Sequence, residues 1–221
     1  MNARDATGEK VGTGPDPTAS SGPTSQPVSP ASRRREEAIQ EASRAIIELY
    51  LERNTTDLPV KELAAHVGLA ERTFYRYFPR KEEAVRPFVV RGFRRIVAAV
   101  RAAPPTANLF DVLVEVHAET FKASHDKRWD AFVPLLLGDE AIRAVWLQVV
   151  AEAEMAFAEV IAERLGIDPR GHRARMAGAV LTVAGRLAME QTFVDGQKQD
   201  PAQVFAECLA HVGPGLFKPL E

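Results

Sequence analysis

The sequence has little of what a secreted, membrane or catalytic protein needs. It holds a single cysteine, Cys208, so no internal disulfide can form and a reducing cytoplasm is the expected compartment. Its histidines, His66, His117, His125, His172 and His211, are scattered, and no pair has metal-ligand spacing on one helix. CxxC pairs, phosphate-binding glycine loops and nucleophile elbows are missing. The carboxylates Asp139-Glu140, Glu152 with Glu154 and Glu159 with Glu163 suit solvated helix faces better than paired acid–base work. Neither an enzyme, a metal site nor a cofactor is expected. The most apolar stretch, Ala174 to Ala184, includes Thr182, is soon followed by Arg186 and falls short of the roughly 20 residues a bilayer span requires. The N-terminal stretch has no apolar core of the kind a secretory signal carries, so the chain is expected to be soluble and intracellular, with no membrane partner. No run alternates with period two, so no strand is expected.

What is present is ordinary in bulk and uneven in arrangement. The apolar fraction of 46% and charged fraction of 26% are those of a globule that buries a core. Net charge is only -2, yet Arg33 to Arg101 carries 15 Lys/Arg against 10 Asp/Glu, while Ala102 to Glu221 carries 11 against 17. A basic front joined to an acidic back suggests that the front meets an anion.

Residues 1–31 are rich in Gly, Pro, Ser and Thr and nearly free of large apolar side chains, which predicts a disordered tail. Everything after reads as helix. Ser32 is the expected N-cap of the first, with Glu36 favouring its positive end and Ile39, Ala42, Ile46, Leu49 and Tyr50 at helical spacing. Further helices are predicted at Val60–Val67, Ala70–Phe78, Glu82–Arg101, Asn108–Ser124, Lys127–Leu137, Asp139–Leu165, Pro169–Asp195 and Pro201–Val212. Pro104-Pro105, Gly138, Gly166, Gly196 and Gly213 mark breaks between them. The fold class is therefore all-α.

The run from Val60 to Phe78 carries the functional signal. Leu63, Ala64 and Val67 form an apolar stripe on a short helix, and Gly68 supplies the positive φ that a tight helix-to-helix turn requires. Projected at 100° per residue, the next helix puts Phe74 and Phe78 on one face with Tyr77 at its edge. Arg72 and Arg76 lie opposite, where a groove-reading helix aims its donors, and Thr73 and Tyr75 flank them at the height of phosphates. Arginine is the commonest bidentate reader of guanine, which nominates Arg72 and Arg76 for base contact. Lys81, at the start of the following helix, is placed for a phosphate. For the aromatics alone, a helical hairpin with a solvated arginine face and an aromatic core stripe is the better explanation. It does not explain the short helix, glycine turn, Arg/Thr/Tyr face and local basic charge together.

Leu63-Ala64-Ala65-His66-Val67-Gly68-Leu69, Thr73-Phe74-Tyr75-Arg76-Tyr77-Phe78 and Lys81-Glu82-Glu83 strongly resemble the TetR family of bacterial repressors, over about Arg34 to Val90. The resemblance implies that residues at Thr73, Tyr75, Tyr77 and Lys81 touch DNA phosphates while early residues of the recognition helix read bases. Ala70 departs from the serine that often caps that helix in the family, a capping bond worth about 1 kcal/mol. Arg33-Arg34-Arg35 either add contacts, as basic arms do in some relatives, or form a solvated cluster. The implied layout is a helix-turn-helix DNA-binding domain over 32–80 and a helical effector-binding and dimerisation domain over 81–221. Its last two helices would pair with their copies in a four-helix interface.

The residues of the back half allow that layout. Ala177, Gly178, Leu181, Ala184, Gly185 and Ala188 would permit close approach of a partner helix, and Ala202, Phe205, Ala206, Leu209 and Val212 share one face of the last. Packing within the chain is the alternative. The aromatic and sulfur side chains Phe121, Trp129, Trp146, Met155 and Met189 are candidates to line a cavity for a hydrophobic effector, or are simply core. Arg186 pairs either with an acidic ligand group or with Glu190 one turn on. The expected protein is a homodimeric repressor released from a palindromic double-stranded DNA operator by an unknown small molecule. The rival reading is a helical small-molecule-binding or architectural protein with no ligand-gated release of DNA.

Overall fold

The computed structural model describes residues 29–123, 127–193 and 199–218, and among these every regular element is helical. In chain order they are α1 (Pro30–Arg53), α2 (Val60–His66), α3 (Glu71–Tyr77), a 3-10 turn (Lys81–Val85), α4 (Arg86–Ala102), α5 (Leu109–Ala123), α6 (Lys127–Gly138), α7 (Glu140–Leu165), α8 (His172–Phe193) and α9 (Pro201–Val212), closed by a second 3-10 turn (Pro214–Phe217). The expectation of a disordered tail falls, for residues 1–28, outside the described ones.

Three predicted helix starts move by more than one residue, each for a local reason. The first helix is capped by Ser29, not Ser32: the Ser29 side chain accepts the Ser32 amide at 3.2 Å, and Pro30, whose missing N–H costs nothing there, takes the first position. The expected helix Glu82–Arg101 splits into the 3-10 turn and α4. Pro87, in the opening turn of α4, has no amide to donate to Glu83, and its ring clashes with that carbonyl in a continuous α-helix. Helix α8 starts at His172 because Asp168 first closes a turn, its side chain accepting the Arg170 amide at 2.9 Å and its carbonyl the Gly171 amide at 3.0 Å.

Two large hydrophobic clusters hold the helices together, with a small third of Ala158, Ala162 and Ala174 between α7 and α8. One runs from Ile46, Tyr50, Leu63, Phe74 and Phe78 through Ala84, Val85 and Val89 to Phe132, Leu136, Trp146 and Val149, so the front of the molecule shares its core with α6 and the start of α7. The other joins Val100, Leu113, Phe157, Leu181, Phe205 and Leu209 deeper in the back half. Phe93 and Phe121 pack against both.

The small residues of α8 serve this packing. Of the stripe expected to face a partner, Ala177, Gly178, Leu181, Ala184 and Ala188 are buried within the chain, and Gly185 is half-buried. A Cβ at Gly178 would lie 2.4 Å from the Glu154 carbonyl of α7, so the stripe's use is to bring α7 and α8 together. Phe205 and Leu209 of α9 are likewise turned inward, leaving Val212 exposed.

Candidate nucleic-acid interface

Helices α2 and α3 form the reading hairpin, and the turn between them rests on Gly68, whose φ of +67° is cheap only for glycine. The Leu69 amide donates to the Ala64 carbonyl at 2.8 Å and the Gly68 amide to Ala65 at 3.1 Å, satisfying carbonyls that the end of α2 leaves free. Ala70 occupies the N-cap of α3 with an extended backbone and no side-chain cap. Phe74 and Phe78 are fully buried, their rings meeting edge-on at 5.2 Å, and they anchor α3 to the core.

The opposite face is polar and open. Arg72 and Arg76 are exposed and have no carboxylate partner among the described residues. Tyr75 stands 48% exposed, its ring edge-on to Phe74 at 6.0 Å. Thr73 and Tyr77 are half-buried at the flanks. Lys81 differs from its expected orientation: its Nζ lies 3.4 Å from the Asp57 carboxylate and 3.3 Å from the Leu58 carbonyl in the α1–α2 loop.

Contacts among the elements that flank the hairpin tie the front of the molecule to α7. The buried Ser43 hydroxyl of α1 donates to the Ala84 carbonyl at 2.6 Å. Thr56 donates to the Asp139 carboxylate at 2.7 Å, while the other oxygen of Asp139 caps α7 through the amides of Ala141 and Ile142. Partial burial alone would raise Asp139; the Ile142 amide, the Thr56 hydroxyl, the Ala141 amide and the charge of Lys81 outweigh it and hold the carboxyl below its usual range. Burial, then the nearby Glu82 and Asp139 carboxylates, pushes the Tyr50 hydroxyl far up. Arg86 completes the link, joining Glu83 at 2.8 Å to Glu152 of α7 at 2.8 Å. The sequence gives no sign of the Thr56–Asp139 bond, because its partners are 83 residues apart and neither sits in a motif.

The residues nominated to line an effector cavity are dispersed. Trp146 and Met189 are buried in the first cluster, and Met155 lies exposed on α7. Arg186 is held by Glu190 at 2.6 Å, the intrahelical alternative, and Arg143 approaches the same carboxylate at 3.5 Å. Phe121 bridges the two clusters, and the side chain of Trp129 lies outside the described ones. Two open hollows, one between α1 and α4 lined by Arg33, Glu36 and Arg91 among others, one around Gly166, include none of these six.

A glycine-hinged hairpin with a charged outer face, seated on a helical domain, defines a helix-turn-helix regulator. The chain belongs to the TetR family of bacterial regulatory proteins: residues 44–86 match the model described as "Bacterial regulatory proteins, tetR family", and residues 95–217, more than half of the chain, match that of the MftR C-terminal domain. The HTH-type transcriptional regulator TcmR of Streptomyces glaucescens is 24% identical over 196 residues, covering 84% of this chain and 85% of its own. A tetR-family regulator from Streptomyces coelicolor shares the fold with TM-score 0.55 at 16% identity, over 83% of this chain and 80% of that one. The multidrug binding protein EbrR, solved with imidazole, gives 0.51 at 21% identity, over 87% and 93%. SmeT, the repressor of the Stenotrophomonas maltophilia efflux pump SmeDEF, gives 0.50 at 17%, over 84% and 97%. The protein is thus a transcriptional regulator and not an enzyme. No helix among the described residues is long and apolar enough to cross a membrane.

Proposed function

We propose that this regulator is a repressor that grips a two-fold symmetric operator as a homodimer and lets go when a small apolar or amphipathic molecule enters its helical domain. The DNA half of this reading is carried by Arg72 and Arg76, two guanidiniums exposed on α3 with no acidic partner among the described residues. They read base edges in the major groove, while Thr73, Tyr75 and Tyr77 hold phosphates. Lys81 exchanges Asp57 for a phosphate. The exchange costs little, since Asp57 is 96% exposed and such solvated pairs contribute about 0–1 kcal/mol.

Two heads need two chains. On the outer side of α8, Met176 and Val183 are 59% and 45% exposed, with the half-buried Val180 and Leu187 at helical spacing between and beyond them. This outward stripe, and not the buried alanine stripe, is the surface we assign to a second copy. The ligand half draws on relatives named for multidrug binding and for repression of an efflux pump. The seam that Phe93 and Phe121 bridge between the two core clusters is the entry we assign to the ligand.

Selection of bound duplexes from a random pool by the full-length protein tests this reading. The expected product is a palindrome whose half-site centres are separated by about 34 Å or a multiple of it. An unenriched pool contradicts the DNA half. Val183→Arg is expected to give monomers with weakened operator binding, and a monomeric wild-type protein contradicts the dimer. Ligands retained by the native protein, identified by mass spectrometry, are expected to release the operator.

A further inference from the structure

We propose that Asp139, at the joint of α6 and α7, is a positioning residue for DNA binding that acts through Thr56 on Lys81. By this route a displacement in the helical domain reaches a phosphate contact of the head. The proposal rests on the reading of Lys81 as a phosphate-binding residue and adds what governs it. The Thr56 hydroxyl donates to Asp139 Oδ2 at 2.7 Å, across 83 positions of sequence. The next two residues are the partners of Lys81 Nζ, Asp57 through its carboxylate at 3.4 Å and Leu58 through its carbonyl at 3.3 Å. One tripeptide thus faces the helical domain with its first residue and the cation with the other two.

The loop that carries the tripeptide is held by its own bonds. Asn54 closes α1 in the left-handed conformation, at φ 50°. The Thr55 hydroxyl accepts the Asp57 amide at 3.1 Å, and the Thr56 carbonyl accepts the Leu58 amide at 2.9 Å. Thr56 is only 8% exposed, whereas the Asp57 side chain is 96% exposed. A shift of the buried hydroxyl is therefore passed within two residues to the groups that hold Lys81.

Asp139 is tied to its own helices as closely as to the loop. Its Oδ1 accepts the amides of Ala141 and Ile142 at 2.9 and 3.0 Å, in the first turn of α7. Its amide donates to the Leu135 carbonyl of α6 at 3.2 Å. A displacement of either helix carries the carboxylate with it. The competing explanation is that the Thr56–Asp139 bond only seals the loop against α7. Sealing needs a buried side chain of about the right shape and no link to Lys81.

Thr56→Val and Asp139→Ser separate the two. Valine keeps the shape of threonine without the hydroxyl, and serine keeps a cap for α7 but is too short to reach Thr56. Each is combined with Lys81→Gln in a double-mutant cycle, and the full chain is titrated with the duplex it selects over a range of salt. Circular dichroism should match wild type throughout. Thr56→Val alone should weaken binding about 3- to 10-fold, because Lys81 and its loop must then be ordered on docking. Its slope of log K against log salt should stay that of wild type, while Lys81→Gln should be shallower by about 0.9. In the Lys81→Gln protein, Thr56→Val should change affinity by less than about twofold, since the residue it acts through is gone. Asp139→Ser should repeat the pattern. Losses that add in full, or no loss from either single variant, assign the bond to sealing and overturn the proposal alone. A wild-type slope for Lys81→Gln defeats the reading of Lys81 itself, and the proposal with it, before any cycle is closed.

Discussion

On α3, Arg72 and Arg76 stand in solvent with no carboxylate partner among the described residues, whereas in the domain behind it Arg101, Arg175 and Arg186 each hold a glutamate at 2.8, 3.1 and 2.6 Å. Both regions are helical and rich in arginine, and both bury apolar residues on the other face. Those three are neutralised within the fold, and Arg164 and Arg173 of the back half donate to backbone carbonyls of their own chain. The reading helix leaves its arginines for something else. Paired surface arginines contribute little to stability and attract nothing further, so unpaired ones at one place are the stronger sign of an external anion.

The largest effect that sharpens the contrast belongs to the back half. His117 is buried, its ring stacked on Phe205 at 3.9 Å and its Nδ1 2.8 Å from the Leu113 carbonyl. Burial, only partly offset by the Leu113 carbonyl, drives its pKa down to about 4 from an ordinary 6.5. The unfolded chain therefore takes up the proton first. Its stability contribution is complete above pH 6.5 and is lost as pH falls to 4, by about 3 kcal/mol. Urea unfolding at both pH values should show that loss in wild type and a smaller one in His117→Leu. Equal losses contradict it.

Next in size is Gly178→Ala, whose new Cβ meets backbone of α7 at 2.4 and 3.0 Å and should cost about 1–3 kcal/mol in urea unfolding. Were the stripe a partner-facing surface, the monomer would be indifferent to it. In the head, Ala70→Ser should stabilise by about 1 kcal/mol, because the N-cap backbone is already extended and lacks only its side-chain acceptor. Thermal melting reads this, and a lower melting temperature would place the helix start elsewhere. Smallest is Arg101→Gln, which removes an exposed pair with Glu163 and should change stability by less than about 1 kcal/mol. It should also leave the salt dependence of DNA binding untouched, unlike changes on α3.

The hairpin was legible in the sequence because its determinants lie within nineteen consecutive positions. Gly68 needs only its own φ, and the inward Phe74 and Phe78 follow from helical periodicity, so local pattern and tertiary result agree. The start of α1 was legible in principle. Ser29-Pro30 is a cap followed by a first-turn proline, but it lay in a stretch whose composition argued for disorder. The back half was less legible for a physical reason. A stripe of alanine and glycine states that some helix approaches closely and does not state which, and α7 supplies that helix within the chain. Aromatic composition likewise nominated Trp146 for a cavity, where the shared core between head and back half had the prior claim on it.

The most direct measurement is the affinity of Arg72→Ala/Arg76→Ala for the selected operator beside its affinity for a random duplex at one salt concentration. Each bidentate arginine–base contact is worth about 1–3 kcal/mol of discrimination, so the variant should lose most of its preference for the operator and keep salt-dependent binding to both. An operator preference equal to that of the wild type would place sequence reading on some other part of the molecule.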